Sequence, residues 1–234
     1  MEERLKASLD GLGVVLGQGQ IDSLIKFSEL LLYRNRIHNL TAITDPDEVV
    51  TKHLADSLSL VPHLLGVGSV VDVGTGAGLP GLVLAVALPQ CSFCLMDAQS
   101  KRVAFVSEAA SVLGLSNVRA VQVRAEEAGR LAYRESFEVA VARAVAPLGI
   151  LAEYSLPLVQ VGGKFLAMKG QGEEQDIEVM PELGGELSHV SKVELPLSDI
   201  RHIIVTINKI NPTQEGFPRS QARIKRQYTK ASPN

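Results

Sequence analysis

Val70-Val71-Asp72-Val73-Gly74-Thr75-Gly76-Ala77-Gly78-Leu79-Pro80-Gly81 begins as an apolar run broken by one carboxylate and ends as a glycine-rich turn. Leu82-Val83-Leu84-Ala85-Val86-Ala87-Leu88, apolar and alanine-rich, follows it and reads as a helix. Strand, glycine turn and helix in this order open a nucleoside pocket at the carboxyl ends of an α/β sheet. Glycines at alternate positions let backbone approach a ligand that any Cβ would push away. Asp72, at the end of the strand, is expected in the wall of that pocket.

The turn fits two ligands. Gly76-Ala77-Gly78-Leu79-Pro80-Gly81 formally matches the G-x-G-x-x-G of dinucleotide enzymes, whose pyrophosphate sits on the following helix N-terminus. However, the turn begins at Gly74, so Gly76 would be its second glycine and not its first. An acidic residue two positions before the first glycine suits a cationic, phosphate-free ligand better. S-adenosylmethionine, with its sulfonium and amino group, is of that kind. The motif favours it, and leaves the dinucleotide and a purely structural tight turn open.

A second acidic position follows at the expected distance. Ser92-Phe93-Cys94-Leu95-Met96-Asp97 reads as the next strand. Its terminal Asp97 falls about 20 residues beyond the glycines, where nucleoside-binding α/β folds place a carboxylate on ribose hydroxyls. Ser100-Lys101-Arg102 opens a helix to about Leu113, with Val103, Phe105, Val106, Ala109, Ala110 and Leu113 on one broad face.

Composition bounds the class. The chain has 234 residues, near the upper limit for one core, and is 46% hydrophobic. No apolar run approaches the ~20 residues of a membrane span. Met1-Glu2-Glu3-Arg4-Leu5-Lys6 is charged and lacks the apolar stretch of a secretory signal, so a cytoplasmic location is expected. Two cysteines exclude a disulfide framework. Their Cys91-x-x-Cys94 spacing could suggest redox or metal chemistry. In a strand, though, positions i and i+3 face opposite sides, so they read as small core residues. No metal is expected. Nor does an exposed apolar stripe demand a partner, and a monomer is expected.

The periodicities give one α/β domain with additions at both ends. Amphipathic helices are expected over about 3–16 and 20–34. A third, capped by Asp45 and started by Pro46-Asp47-Glu48, should run to about Leu60. Strands near 70–73, 92–97, 118–123, 138–142 and 163–168 alternate with helices, which argues for a doubly wound parallel sheet. Ser188–Leu195 and Arg201–Ile207 are separated by too little chain for a crossover and should form an antiparallel edge hairpin. The resulting division is a helical extension over 1–65, the α/β domain over 66–210 and a tail over 211–234. Residues 216–234 carry Arg219, Arg223, Lys225, Arg226 and Lys230 with no acid, whereas the whole chain is −3. A basic tail on an acidic body suggests an anionic partner, most simply nucleic acid, with a solvated tail as the alternative.

Beyond the glycine turn, further stretches carry a family resemblance. They are Arg36-Ile37-His38-Asn39-Leu40-Thr41-Ala42-Ile43, Lys52-His53-Leu54-Ala55-Asp56-Ser57-Leu58, Arg124-Ala125-Glu126, Ala142-Arg143-Ala144-Val145-Ala146, Met168-Lys169-Gly170, Arg201-His202 and Phe217-Pro218-Arg219. With the Pro80-Gly81 ending of the turn, they resemble the guanine-N7 methyltransferases of small-subunit (16S) ribosomal RNA, the glucose-inhibited division protein B family. The resemblance spans roughly residues 20–220. The chain departs from it after Arg219, where a short Lys-Pro tail is expected and a longer basic one stands.

The resemblance implies a Rossmann-like class I methyltransferase with a seven-stranded, mostly parallel sheet. It also implies S-adenosylmethionine as cofactor, and small-subunit ribosomal RNA or the assembling small subunit as substrate. Gly74 and Leu79 would line the cofactor pocket, Asp97 would hold the ribose, and Ala125 and Glu126 would meet the adenine. Arg143 would contact either the methionine carboxylate or a target phosphate. RNA would be met by Lys101, Arg102, Arg124, Lys169, Arg201 and Arg219 around the mouth. Tyr33, His38 and Asn39 are candidates to hold a flipped base, whereas His53 and His63 read as ordinary core or helix-surface residues. Guanine N7 offers its lone pair outward, so neither a general base nor a metal is implied.

Overall fold

In the computed structural model the described residues are 1–143, 146–170 and 180–230. Ala144 and Val145 of the fourth-strand motif, and the last four residues of the tail, fall outside them. Seven strands form one sheet: β1 (Ser69–Val73), β2 (Ser92–Asp97), β3 (Val118–Gln122), β4 (Phe137–Arg143), β5 (Val159–Gly170), β6 (Gly185–Glu194) and β7 (Arg201–Lys209). Their order is β3-β2-β1-β4-β5-β7-β6. The first five are parallel, while β7 runs antiparallel to both β5 and β6. The expected edge hairpin is therefore present, with β7 inserted between β5 and β6.

Helices cover both faces. α1 (Glu2–Leu12), α2 (Gln18–His38), α5 (Gly81–Ala87) and α6 (Ser100–Val112) lie on one side. α7 (Ala125–Ala128) and α8 (Leu148–Ser155) lie on the other. Strand side chains alternate between the two cores, as the two-residue period of a pleated strand requires. Val70, Phe93 and Leu95 enter the first, and Val71, Cys94 and Met96 the second. Cys91 and Cys94 accordingly face opposite sides, and burial raises both thiols to about 11. The helical extension shares the first core: Leu24, Phe27 and Leu31 of α2 cluster with Leu82, Phe105 and Val106.

The third helix starts where its cap signal says. Asp45 accepts the amides of Asp47 and Glu48 at 3.0 and 2.9 Å. It is not one uniform helix, however. α3 (Pro46–Val49) passes into a π-helical stretch, Val50–Ala55, and then α4 (Asp56–Leu58). That wider winding sets Lys52, His53 and Asp56 at the carboxyl end of the sheet, where Arg143 bonds to the first and third of them. No helix among the described residues is long and apolar enough to cross a membrane.

Candidate active site

The strand order reverses at β1, between β2 and β4, and such a switch point opens a crevice at the carboxyl ends of the strands. The glycine turn stands there. Gly74, Gly76 and Gly78 all adopt positive φ, at 75°, 57° and 83°, which only glycine enters readily. A Cβ on Gly74 would meet nothing within 4 Å, so this backbone faces open space. Gly81 serves another purpose. A Cβ there would come within 2.1 Å of Leu95, so its absence lets α5 close on the sheet.

Asp72 does not line the pocket wall. It is fully buried beneath the turn, accepting from the Thr75 hydroxyl at 2.7 Å and the Gly81 amide at 2.9 Å through one oxygen. Burial raises its carboxyl to about 6, against the opposing pull of those two hydrogen bonds and of Arg143. This arrangement decides between the two ligand readings. The amide that opens α5, which a pyrophosphate would need, is already taken by a carboxylate of the protein itself.

Beside the turn lies a cavity of about 270 Å³. Val73, Gly74 and Met96 form its floor, Asp97 and Glu126 are its acids, and Ala125, Ala146 and Leu151 add apolar wall. Asp97 accepts the Gly76 amide at 3.0 Å with one oxygen and the Gln99 amide at 2.8 Å with the other. Its carboxylate is thereby fixed at the groove, 3.4 Å from the Arg102 guanidinium. A nucleoside with a cationic substituent matches this chemistry: carboxylates for hydroxyl donors and apolar walls for a purine, while the two arginines of the lining face protein acceptors, Arg102 at 3.4 Å from Asp97 and Arg124 at 3.4 Å from Gln221. The donor set thus fits S-adenosylmethionine.

The expected residues divide. Gly74, Asp97, Ala125 and Glu126 converge on the groove, and Arg124 lines it too. Leu79 does not: it is buried in the core cluster with Leu82 and Leu84, because its helix-side position turns it inward. Arg143 also lies outside the groove lining, donating to Asp56 Oδ2 at 2.9 Å and to the Lys52 carbonyl at 3.1 Å. His202 Nδ1 lies 3.2 Å from the other Asp56 oxygen, and burial lowers the imidazole below its ordinary range.

Among the basic positions, Lys101 and Arg124 are exposed, and Arg201 is exposed beside Glu194. Lys169 and Arg219 are corrections. Lys169 is buried and donates to the Ala146 carbonyl at 2.6 Å, so its ammonium anchors that residue instead of meeting solvent. Arg219 is turned inward onto Glu153, a fully buried carboxylate of α8, at 2.8 and 2.5 Å. Sequence reading gave no role to Glu153, Tyr154 and Gln221, and carried Asp56 only within the Lys52–Leu58 stretch. The one available signal was Glu153 itself, an acid set in the apolar run Leu148–Leu158.

In the helical extension, Asn39 and Arg36 border a second, larger cavity of about 640 Å³. Tyr33 is 57% exposed, and His38 is exposed. His53 is buried against the Thr41 hydroxyl at 2.8 Å, and burial with the nearby Arg143 charge lowers it to about 4. His63 stacks on His189.

A nucleoside groove at the switch point, with an antiparallel β7 between β5 and β6, is the architecture of the class I S-adenosylmethionine-dependent methyltransferases. Solved structures share it: TrmN from Thermus thermophilus has a TM-score of 0.51 at 20% identity, covering 69% of this chain and 53% of that one. A geranyl diphosphate methyltransferase solved in complex with SAM has a TM-score of 0.50 at 13% identity, covering 67% and 85%. At such identities the likeness concerns the fold alone. The family model GidB, described as rRNA small subunit methyltransferase G, matches residues 20–203, and the chain belongs to this family. A relative named ribosomal RNA small subunit methyltransferase G, from Caldanaerobacter subterraneus subsp. tengcongensis, is 40% identical over 95% of this chain and 96% of its own. One of the same name from a Thermoanaerobacter species is 42% identical over 92% of both.

Proposed function

We propose that the protein transfers a methyl group from S-adenosylmethionine to N7 of a guanosine in small-subunit ribosomal RNA. The observation that carries the cofactor assignment is the groove itself. Asp97 is locked by two backbone amides, Glu126 stands across from it, and the anion site of α5 is filled internally by Asp72. Family membership over residues 20–203 carries the substrate class.

S-adenosylmethionine supplies a methyl group already activated on a sulfonium. The chain's residues have to hold and orient it. Asp97 accepts from the ribose hydroxyls, Gly74 admits the ligand backbone to backbone, and Ala125 and Glu126 border the base. Leu79 and Arg143 take no direct part in holding it. Guanine N7 presents an in-plane lone pair and loses no proton on methylation, so no side chain has to act as base. Alignment of acceptor and methyl supplies the acceleration. Lys101, Arg124 and Arg201 meet the RNA at the mouth, and Tyr33, His38 and Asn39 stand on the helical extension to receive the displaced base. A-form RNA hides N7 in its deep groove, so the target must lie in a loop or leave its stack.

Equilibrium titration tests the groove: S-adenosylmethionine should bind and NAD should not. Binding of NAD alone would overturn the assignment. Comparing methyl transfer to protein-free RNA with transfer to assembling small subunits then identifies the form of the substrate.

A further inference from the structure

The C-terminal helix α9 (Gln221–Lys230) begins just after the point where the chain departs from the family pattern. Its approach is firmly fixed. Arg134 donates to the Phe217 carbonyl at 2.7 Å and to the Thr213 carbonyl at 2.6 Å. Arg130 donates to the Pro218 carbonyl at 2.7 Å, and Glu153 holds both the backbone amide and the guanidinium of Arg219. Ile224 then inserts fully into the protein, and α9 packs on α8. The segment is therefore seated as a part of the fold.

The seat adjoins the groove. Gln221, the first residue of α9, lines the cofactor cavity and accepts from Arg124 at 3.4 Å. Arg223 and Arg226, three apart and so neighbours on one helical face, are both exposed. The stretch from Gly216 onward contains no acid to neutralise them. They make a basic ridge on the outer face of α9, turned away from the groove that Gln221 lines at the start of the same helix.

We infer that α9 is an RNA-binding arm: Arg223 and Arg226 grip the substrate's phosphate backbone from the outer face of the helix that starts at the cofactor groove. Because the same helix supplies Gln221 to the groove wall, RNA engagement steadies that wall, and RNA and cofactor each tighten the other's binding. Such coupling is reciprocal by thermodynamic necessity. The inference rests on the RNA substrate proposed above. A-form RNA hides its base edges in a deep groove, so two guanidiniums on an exposed ridge meet phosphates, and the arm sets affinity and position and leaves sequence choice to other residues.

The test uses the full chain and R223Q/R226Q, with a protein-free small-subunit ribosomal RNA transcript as probe. Each lost phosphate contact should lower the slope of log affinity against log salt by roughly 0.7–0.9. The double variant should therefore lose roughly 1.4–1.8 units of slope, and bind the transcript about ten-fold less tightly at the lower salt end. Its cofactor affinity without RNA and its melting temperature should match the wild type. Added RNA should tighten cofactor binding in the wild type and do so less in the variant. If the double variant fails to fold, R226Q alone should show about half the slope change. An unchanged slope and affinity would overturn the inference, as would polyglutamate competing for the ridge as well as RNA does. A wild type that methylates its RNA while the variant keeps the full slope fails the arm only. A wild type that neither binds nor methylates any RNA fails the proposed function, and the arm with it.

Discussion

Arg143, at the end of β4, reaches across the sheet to Asp56, 2.9 Å away at the end of the π-helical turn. The same guanidinium bonds to the Lys52 carbonyl, and its charge opposes protonation of His53 and His202 while helping to ionise Asp72. Arg143 is thus the hub joining the helical extension to the sheet. Replacing it with alanine leaves the half-buried Asp56 carboxylate without its main partner, at a cost of about 1–3 kcal/mol. R143A should fall in stability and lose methyl transfer, yet bind S-adenosylmethionine nearly as the wild type does, because the residue stands outside the groove. Lysine should rescue it in part, since both bonds come from one guanidinium nitrogen, Nη1, and an ammonium carries the same charge and enough donors. Calorimetric titration with the cofactor separates this from direct binding by Arg143, for which affinity would collapse.

Asp97 has the opposite profile. It is nearly buried, holds the glycine turn through Gly76, and faces the groove. D97A should weaken S-adenosylmethionine binding by about 10–100-fold, the equivalent of losing hydrogen bonds to a charged acceptor. RNA affinity, measured without cofactor, should change little.

Acid–base behaviour of the fold carries two contributions of opposite sign. Asp72 keeps its proton in the folded state up to about pH 6, whereas the unfolded chain releases it near 3.8. Over that window the folded state binds more protons, so this contribution falls as pH rises, by at most about 1.4 kcal/mol per pH unit. His53 stays neutral in the folded state down to about 4, although its ordinary value is 6.5. There the unfolded state binds more protons, and this contribution falls as pH drops. Between pH 4 and 6 the two nearly cancel. D72N should therefore show stability that drops on acidification through this range, and H53Q stability that drops as pH rises. Denaturant melts at half-unit intervals read the slopes directly. Equal slopes in both variants would contradict the assignments.

Glu153 and Arg219 make a pair that is worth little until it is broken. Removing one partner leaves an uncompensated charge in the interior, at a cost of about 3–5 kcal/mol. R219A should accordingly lower the melting temperature sharply, while R219A/E153L should recover much of the loss. Recovery in the double variant, measured by thermal unfolding, distinguishes this inward role from an RNA contact, which the second substitution could not restore.

Much of the fold was legible because its signals are local. The short apolar runs of Val70–Val73 and Ser92–Asp97, the glycines of the turn and the Asp45 cap each depend on near neighbours in the chain. Gly74 and Asp97 were legible for a related reason, since strand ends in such a sheet converge on one edge, whereas Ala125 and Glu126 came only with the family resemblance. What escaped was the choice of partner by charged groups. Arg143 and Lys169 stand at strand ends and Arg219 follows a turn, as surface cations would, and nothing local tells that Asp56, the Ala146 carbonyl and Glu153 await them. Two of those pairings span 87 and 66 residues. The amphipathic pattern of 46–60 likewise fits an α-helix, because the π-helical widening over Val50–Ala55 leaves the apolar positions facing inward.

The measurement that bears most directly on the whole account is transfer of labelled methyl from S-adenosylmethionine to small-subunit ribosomal RNA, followed by digestion and nucleoside analysis. The account predicts one labelled nucleoside, 7-methylguanosine, formed by the wild type and sharply reduced in D97A at limiting cofactor. Label on any other base position, or on ribose, would contradict it.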